Sequence, residues 1–198
     1  MTTGARTSAW ITVAAFVSAA AWGAAPGAGF SLEELMANLA RVRSSEGRFV
    51  EHKYLSILEA PLETSGTLVY RAPGRLEKRT LKPVQESLVL DDGQLVLENT
   101  EQGWRKSFAL RDHPTLWAFV ESIRSTLAGD LPTLQRFYNV DFAGSEGDWE
   151  LRLRPREDVI KDVIDEIRIR GGGTWVSRIE ILETTGDRSV MNISRDPS

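Results

Sequence analysis

Ser65-Gly66-Thr67-Leu68-Val69-Tyr70-Arg71-Ala72-Pro73-Gly74-Arg75-Leu76 and, after Pro83, Leu88-Val89-Leu90-Asp91-Asp92-Gly93-Gln94-Leu95 are the stretches on which the fold turns. In each, apolar and polar side chains alternate until a turn signal interrupts them. Proline presets φ in Ala72-Pro73-Gly74, and Asp91-Asp92-Gly93 favours positive φ, so the chain reverses at both places. Period-two alternation on either side predicts consecutive antiparallel hairpins, with strands over 66–71, 75–81, 86–90 and 94–98. A further strand is expected over 104–110. Asp91 and Asp92 are metal-ligand types, but an Asp-Gly turn between alternating apolar residues is the stronger reading.

Upstream the periodicity is helical. Ser31 is placed as an N-cap with Glu33 and Glu34 in the first turn, and Leu32, Leu35, Met36, Leu39 and Val42 recur at three- and four-residue spacing. This predicts an amphipathic helix of about four turns ending near 44–47. From Arg48 the period becomes two, with Phe49, Leu55 and Ile57 alternating imperfectly with polar residues. Downstream, Pro114 opens a second helix and Gly129 stops it. Leu131-Pro132 starts a short helix expected to run through Leu134, Phe137 and Tyr138.

Period two then returns. Trp149, Leu151 and Leu153 alternate with Glu150, Arg152 and Arg154; Ile167 and Ile169 with Arg168 and Arg170; Trp175, Ile179 and Ile181 with Arg178 and Glu180. One face is apolar and the other charged, as in antiparallel sheets that show one face to water. The expected fold class is therefore α+β: a single large curved antiparallel sheet of about nine to eleven strands, with helices covering the concave face. The helical segments are short against such a sheet, and a partly open apolar hollow is the consequence. Its expected lining is Leu68, Tyr70, Leu88, Leu90, Leu95, Leu97, Trp149, Leu151, Ile167, Ile169, Trp175 and Ile179, with Leu116, Phe119, Val120 and Ile123 from a helical lid. Periodicity alone leaves open that these side chains simply pack together as an ordinary core.

Met1 to Thr7 carries one positive side chain, Arg6, and no acid, and the run from Ala9 to Ala21 is almost wholly apolar. Residues 1–25 read as a secretory signal peptide, with cleavage between 21 and 29, and the run is too short to span a bilayer. The expected compartment is a bacterial periplasm. The remainder, roughly 170 residues, suits one domain over 30–195. The chain has no cysteine, which excludes disulfides, thiol catalysis and a lipid anchor near the cleavage region, so the processed protein is expected to diffuse as a monomer. A net charge of -4, with Lys and Arg scattered among acids, points to no nucleic-acid partner.

Residues with chemical potential do not assemble into an enzyme pattern. His52 and His113 have no partner at metal-ligand spacing. Gly144-Ser145-Glu146-Gly147 lacks the Gly-x-Ser order of a nucleophile elbow, and Gly171-Gly172-Gly173 precedes a strand, where a hairpin loop is expected. The acidic run Glu157, Asp158, Asp162, Asp165 and Glu166 reads as a solvated face paired with Arg152, Arg154, Lys161 and Arg168. No catalytic residue, metal or cofactor is expected.

The quoted stretches, together with Phe49, Glu51 and Lys53, resemble the bacterial periplasmic lipoprotein carrier family LolA. The glycine-strand-Arg-Pro segment over 65–76 and the strand-turn-strand over 88–95 carry the likeness, which extends from about Phe30 to Ile193. The resemblance implies an unclosed β-barrel with a helical lid, an apolar concave face that holds acyl chains, and no catalysis. It implies an inner-membrane transporter as donor and an outer-membrane acceptor. Four positions depart from the family. Ala72 stands where the family has an arginine that latches the lid, which leaves Arg71 and Arg75 as latch candidates. Glu51 replaces a glutamine, and Glu77 and Lys78 stand where aromatic residues are common.

Three readings follow. The first is a soluble carrier of lipoprotein or lipid acyl chains; the second is a periplasmic sensor or scaffold that binds a protein partner; the third is an enzyme, for which nucleophile, base and metal are wanting.

Overall fold

In a computed structural model, which describes residues 29–195, eleven strands form one antiparallel sheet that does not close. In chain order the elements are α1 (Leu32–Leu39), β1 (Ser44–Tyr54), β2 (Leu62–Arg71), β3 (Arg75–Lys82), β4 (Glu86–Asp91), β5 (Gln94–Asn99) and β6 (Trp104–Ala109). A 3-10 turn, Leu110–Asp112, leads into α2 (Pro114–Ala128) and α3 (Leu131–Phe137). Then follow β7 (Tyr138–Ser145), β8 (Asp148–Pro155), α4 (Asp158–Lys161), β9 (Ile164–Gly172), β10 (Trp175–Glu183) and β11 (Arg188–Arg195). The expected signal peptide, 1–25, lies outside the described residues.

The strand order is β6-β5-β4-β3-β2-β1-β11-β10-β9-β8-β7. The chain thus leaves the sheet at one edge, β6, and re-enters at the other, β7. The helices between them must cross a face of the sheet. On a flat sheet that crossing would span about 48 Å, ten steps of roughly 4.8 Å. The 15 residues of α2 and 7 of α3 reach about 33 Å end to end. The crossing closes because the sheet curls around the helices, which makes the half-barrel.

Turn chemistry acts where the sequence places it. Asp92 (φ 46°) and Gly93 (φ 72°) form the β4–β5 turn, with Asp91 paired to Gln94. Asp91 is engaged by Arg75 at 2.5 Å, an ion pair across β3 and β4. The outer face carries the expected charges: Glu150 lies between Arg152 and Arg170, Glu166 between Arg154 and Arg168, and Glu180 between Arg178 and Arg188.

Three elements differ from expectation. Helix α1 has the capping box, Ser31 Oγ accepting from the Glu34 N–H at 3.2 Å and the Ser31 N–H donating to Glu34 Oε2 at 2.9 Å, but only eight residues. Residues 44–47, expected at its end, instead pair with β2, Ser44 opposite Arg71, so ladder bonds replace helical ones. The C-terminus of α2 also abuts α1: a Cβ on Gly129 (φ 65°) would collide with the Met36 carbonyl oxygen. Tyr138 opens β7, opposite Pro155, where a helix end was expected. Its ring is fully buried. Within the acidic run, Asp158–Lys161 forms α4, which buries Ile160 against β8 and β9.

Buried side chains fall into two clusters. The larger joins Leu35, Leu39, Leu134, Tyr138, Trp149, Leu151 and Ile167, so it fills the β7–β10 half beneath α1, α2 and α3. The smaller joins Leu90, Leu95, Leu110 and Val120 over β4 and β5. Phe119 and Trp117 on α2 pack against both.

Candidate functional site

Between the two clusters, where α2 passes over β1, β2, β3, β10 and β11, the packing is incomplete. A hollow of about 390 Å³ remains. Ladder register explains its lining. On the inner face Tyr70, Leu76 and Leu90 form one row across β2, β3 and β4, and Leu68, Lys78 and Leu88 form the next. A third row runs Glu51, Met191, Ile179, Ile169 across β1, β11, β10 and β9. All ten side chains line the same hollow although β4 and β9 are six strands apart, which only a strongly curved sheet allows.

Seven of the expected lining residues are there: Leu68, Tyr70, Leu88, Leu90, Ile169, Trp175 and Ile179. Phe119, Val120 and Ile123 of α2 form the roof. The other expected residues lie elsewhere. Trp149, Leu151 and Ile167 are 1 % exposed or less and pack in the larger cluster under α1 and α3, because those helices fill the β8–β9 end of the concavity. Leu95 is buried in the smaller cluster with Leu116 against it, and Leu97, opposite Leu88 on β5, stands outside the lining. So part of the set is ordinary core, and the rest surrounds a space.

Sequence reading missed the polar part of this site. Lys53, Glu51, Lys78, Asp187, Arg188 and Ser189 also border the hollow, as do Val176, Met191 and Ile193. The residues of β11 were missed because Val190 to Ile193 alternates weakly. Glu51 is 4 % exposed, and its oxygens accept from Lys78 Nζ at 2.5 Å, Ser189 Oγ at 2.7 Å and Thr64 Oγ1 at 3.3 Å. Burial alone would raise the Glu51 carboxyl, but the Lys78 ammonium and the hydrogen bonds from Lys78 and Ser189 outweigh it and hold the group below its ordinary range. Lys78 Nζ also lies 4.8 Å above the centre of the Phe49 ring. Burial pushes the Tyr70 hydroxyl up, opposed by the charges of Arg124 and Arg43.

The latch candidates contact no part of the lid through their ion pairs. Arg71 faces Glu46 at 4.0 Å, and Arg75 pairs with Asp91 and Glu77. Both border a separate cleft of about 670 Å³ outside the hollow. A lid arginine lies over the same β2–β3 turn. Arg124 of α2 packs its Cδ 3.1 Å from where a Cβ on Gly74 would be, over the β2–β3 turn. Its guanidinium is fixed by Glu121 at 2.7 Å and Asp130 at 3.5 Å. The outward strand position of Arg71 and Arg75 prevents them from reaching under α2. Among the described residues no cluster of three or more His, Asp or Glu could hold a metal ion.

Comparison with solved structures finds similar folds at low identity. A LolA superfamily protein from Nitrosomonas europaea is 8% identical with a TM-score of 0.45, over 85% of this chain and 95% of that one. The Pseudomonas aeruginosa MucA/MucB complex gives 12% and 0.43, over 84% and 58%. The Clostridioides difficile CwlD amidase in complex with the GerS lipoprotein gives 9% and 0.39, over 78% and 85%. Comparison with curated proteins finds no match. The family described as outer membrane lipoprotein carrier protein LolA-like matches residues 24–193. With an unclosed eleven-stranded sheet, a helical lid and a family match over most of its length, the chain belongs to the LolA-like family.

Proposed function

We propose that this protein is a soluble periplasmic carrier. Exported by a cleaved signal peptide, it takes acyl chains of a lipoprotein or lipid from an inner-membrane donor, shelters them beneath α2, and yields them to an outer-membrane acceptor. The observation that carries this reading is the unfilled apolar hollow between two packed clusters. Its volume of about 390 Å³ lies in the range of about 300–1,000 Å³ used by small-molecule sites. Membership of a family described by lipoprotein carriage supports it.

The energetics suit the role. Burial of an acyl chain is worth about 0.8 kcal/mol per methylene, so a sixteen-carbon chain alone in water costs on the order of 10 kcal/mol. A carrier must offset most of this and still release. A lid whose Arg124 stem rests on the β2–β3 turn, over an incompletely packed space, is a structure that can open without unfolding the sheet.

Mass spectrometry of gently purified protein tests the reading. Co-purifying acylated lipid or lipoprotein is the expected result. Absence of both bound lipid and binding of acylated probes, or capture of a stoichiometric protein in place of lipid, would overturn it.

A further inference from the structure

We propose that Lys78, oriented by Glu51, is a hydrogen-bonding subsite inside the hollow for the carbonyl oxygen of an ester- or amide-linked acyl chain. This deepens the carrier reading and rests on it. It names the part of the cargo that enters: the chain together with its uncharged linkage, and not a free fatty-acid anion.

Lys78 sits between Leu68 and Leu88 in the ladder, and all three line the hollow. An ammonium placed among leucines is costly unless paired, and two apolar residues in place of a Lys–Glu pair would serve simple packing at least as well. The pair is therefore a feature of the ligand space and not an aid to the core.

Donor counting gives the chemistry. An ammonium has three N–H donors. One goes to Glu51 Oε2 at 2.5 Å, and the cation faces the Phe49 ring at 4.8 Å; among the described residues no second oxygen accepts from Lys78. Glu51 in turn accepts from Ser189 and Thr64 beside Lys78, three of the roughly four sites of a carboxylate. At this depth the hollow thus offers more spare donors, on Lys78, than spare acceptor sites, on Glu51, which suits a ligand carrying oxygen acceptors.

Charge counting then selects among such ligands. The ionisable side chains that border the hollow are Lys53, Lys78 and Arg188 against Glu51, Glu77, Glu183 and Asp187. Glu77 is neutralised from outside the hollow by Arg75 and Arg79. Arg188 is likewise engaged by Glu180, which leaves Lys53 and Lys78 against Glu51, Glu183 and Asp187, and the less exposed of the two lysines, Lys78, is already compensated by Glu51. A carboxylate at that depth would add an uncompensated negative charge, whereas an ester or amide carbonyl would accept from Lys78 without adding any.

The test compares two forms of one fluorescent acyl chain, cis-parinaric acid as its carboxylate at pH 8 and as its methyl ester, by fluorescence titration. The methyl ester is expected to bind about tenfold more tightly. Lys78→Met should weaken ester binding about tenfold by removing the donor, and the paired variant Glu51→Gln with Lys78→Met, which leaves no buried charge unmatched, should weaken it likewise with the fold retained by circular dichroism, while carboxylate binding stays weak in both. Glu51→Gln alone should raise carboxylate affinity. Equal affinities of ester and carboxylate for the parent, or an unchanged ester affinity in the paired variant, would overturn the subsite while leaving the carrier standing. Failure of both probes to bind the parent protein would overturn the carrier reading and the subsite with it.

Discussion

Trp149 on β8 and Gly171 on β9 stand opposite each other in the ladder, and the indole occupies the space a side chain on residue 171 would need. The indole N–H donates to the Gly173 carbonyl at 2.9 Å, so the ring bridges the β9–β10 turn. A Cβ at 171 would also collide with the Trp175 carbonyl oxygen. Gly171→Ala is accordingly expected to cost about 1–3 kcal/mol, the range for overpacking. Urea unfolding reads this as a lower midpoint at unchanged slope. A midpoint equal to the parent's would show that both the indole and the Trp175 backbone give way.

A second relationship concerns the lid. Arg124→Met removes the guanidinium that serves Glu121 and Asp130 while keeping much of the apolar stem that lies on Gly74. Glu121 is then buried with Ser125 as its remaining partner. A loss of about 1–3 kcal/mol is expected, together with faster amide exchange in α2 than in β8 and β9. Arg71→Ala and Arg75→Ala should each change stability by less than about 1 kcal/mol, as exposed ion pairs do. Equal exchange in α2 for Arg124→Met and the parent would remove Arg124 as the tie between lid and sheet.

These two sites show how far the chain could be read. The hairpin signals at Ala72-Pro73-Gly74 and Asp91-Asp92-Gly93 are local, and the sheet obeys them. The alternation from Trp149 to Ile181 is also local and correctly divides inside from outside. What local pattern does not report is which inward residues a helix covers. Trp149, Leu151 and Ile167 follow the same alternation as Ile169 and Ile179, yet α1 and α3 seat on the former and leave the latter beside a space. That difference depends on where two short helices come to rest. Glu51 and Lys78 escaped for a related reason: each looks like a solvated strand residue until β1 and β3 are seen to bring them together.

Acid sensitivity follows from the carboxylates held low. For Asp130 burial alone would act upward, but hydrogen bonds from Thr133 and the charge of Arg124 outweigh it, and for Glu51 the same holds with Lys78 and Ser189. A carboxyl lowered on folding contributes stability above its unfolded value, and that contribution disappears as pH falls through the folded value. With ordinary values of 3.8 and 4.5, stability should be level from pH 7 to about 5 and decline below about 4.5. Asp130→Asn keeps an acceptor for the Thr133 N–H, now 3.1 Å from Oδ1, but removes the titration. Its melting temperature should therefore fall less steeply with acid than the parent's. An identical slope would place the acid-sensitive charge elsewhere.

Phe119 offers the sharpest separation of lid from core. It is half-buried, packs against both clusters and lines the hollow beneath α2, so among the described residues its ring is the one contact common to all three. Phe119→Glu puts a carboxylate where an acyl chain would lie. In the empty protein that carboxylate can reach water through the open side of the hollow, so the expected loss of stability is moderate, about 1–3 kcal/mol. With a chain bound the same group would be desolvated against methylenes, and affinity for an acylated probe should fall at least about tenfold. Trp149→Phe, which alters the filled half of the concavity, should lower stability yet leave probe affinity within about twofold. If Phe119→Glu binds the probe as tightly as the parent, the chain does not pass beneath α2. If both variants lose affinity in proportion to stability, the two clusters act as one core, and the hollow is a packing defect and not a site.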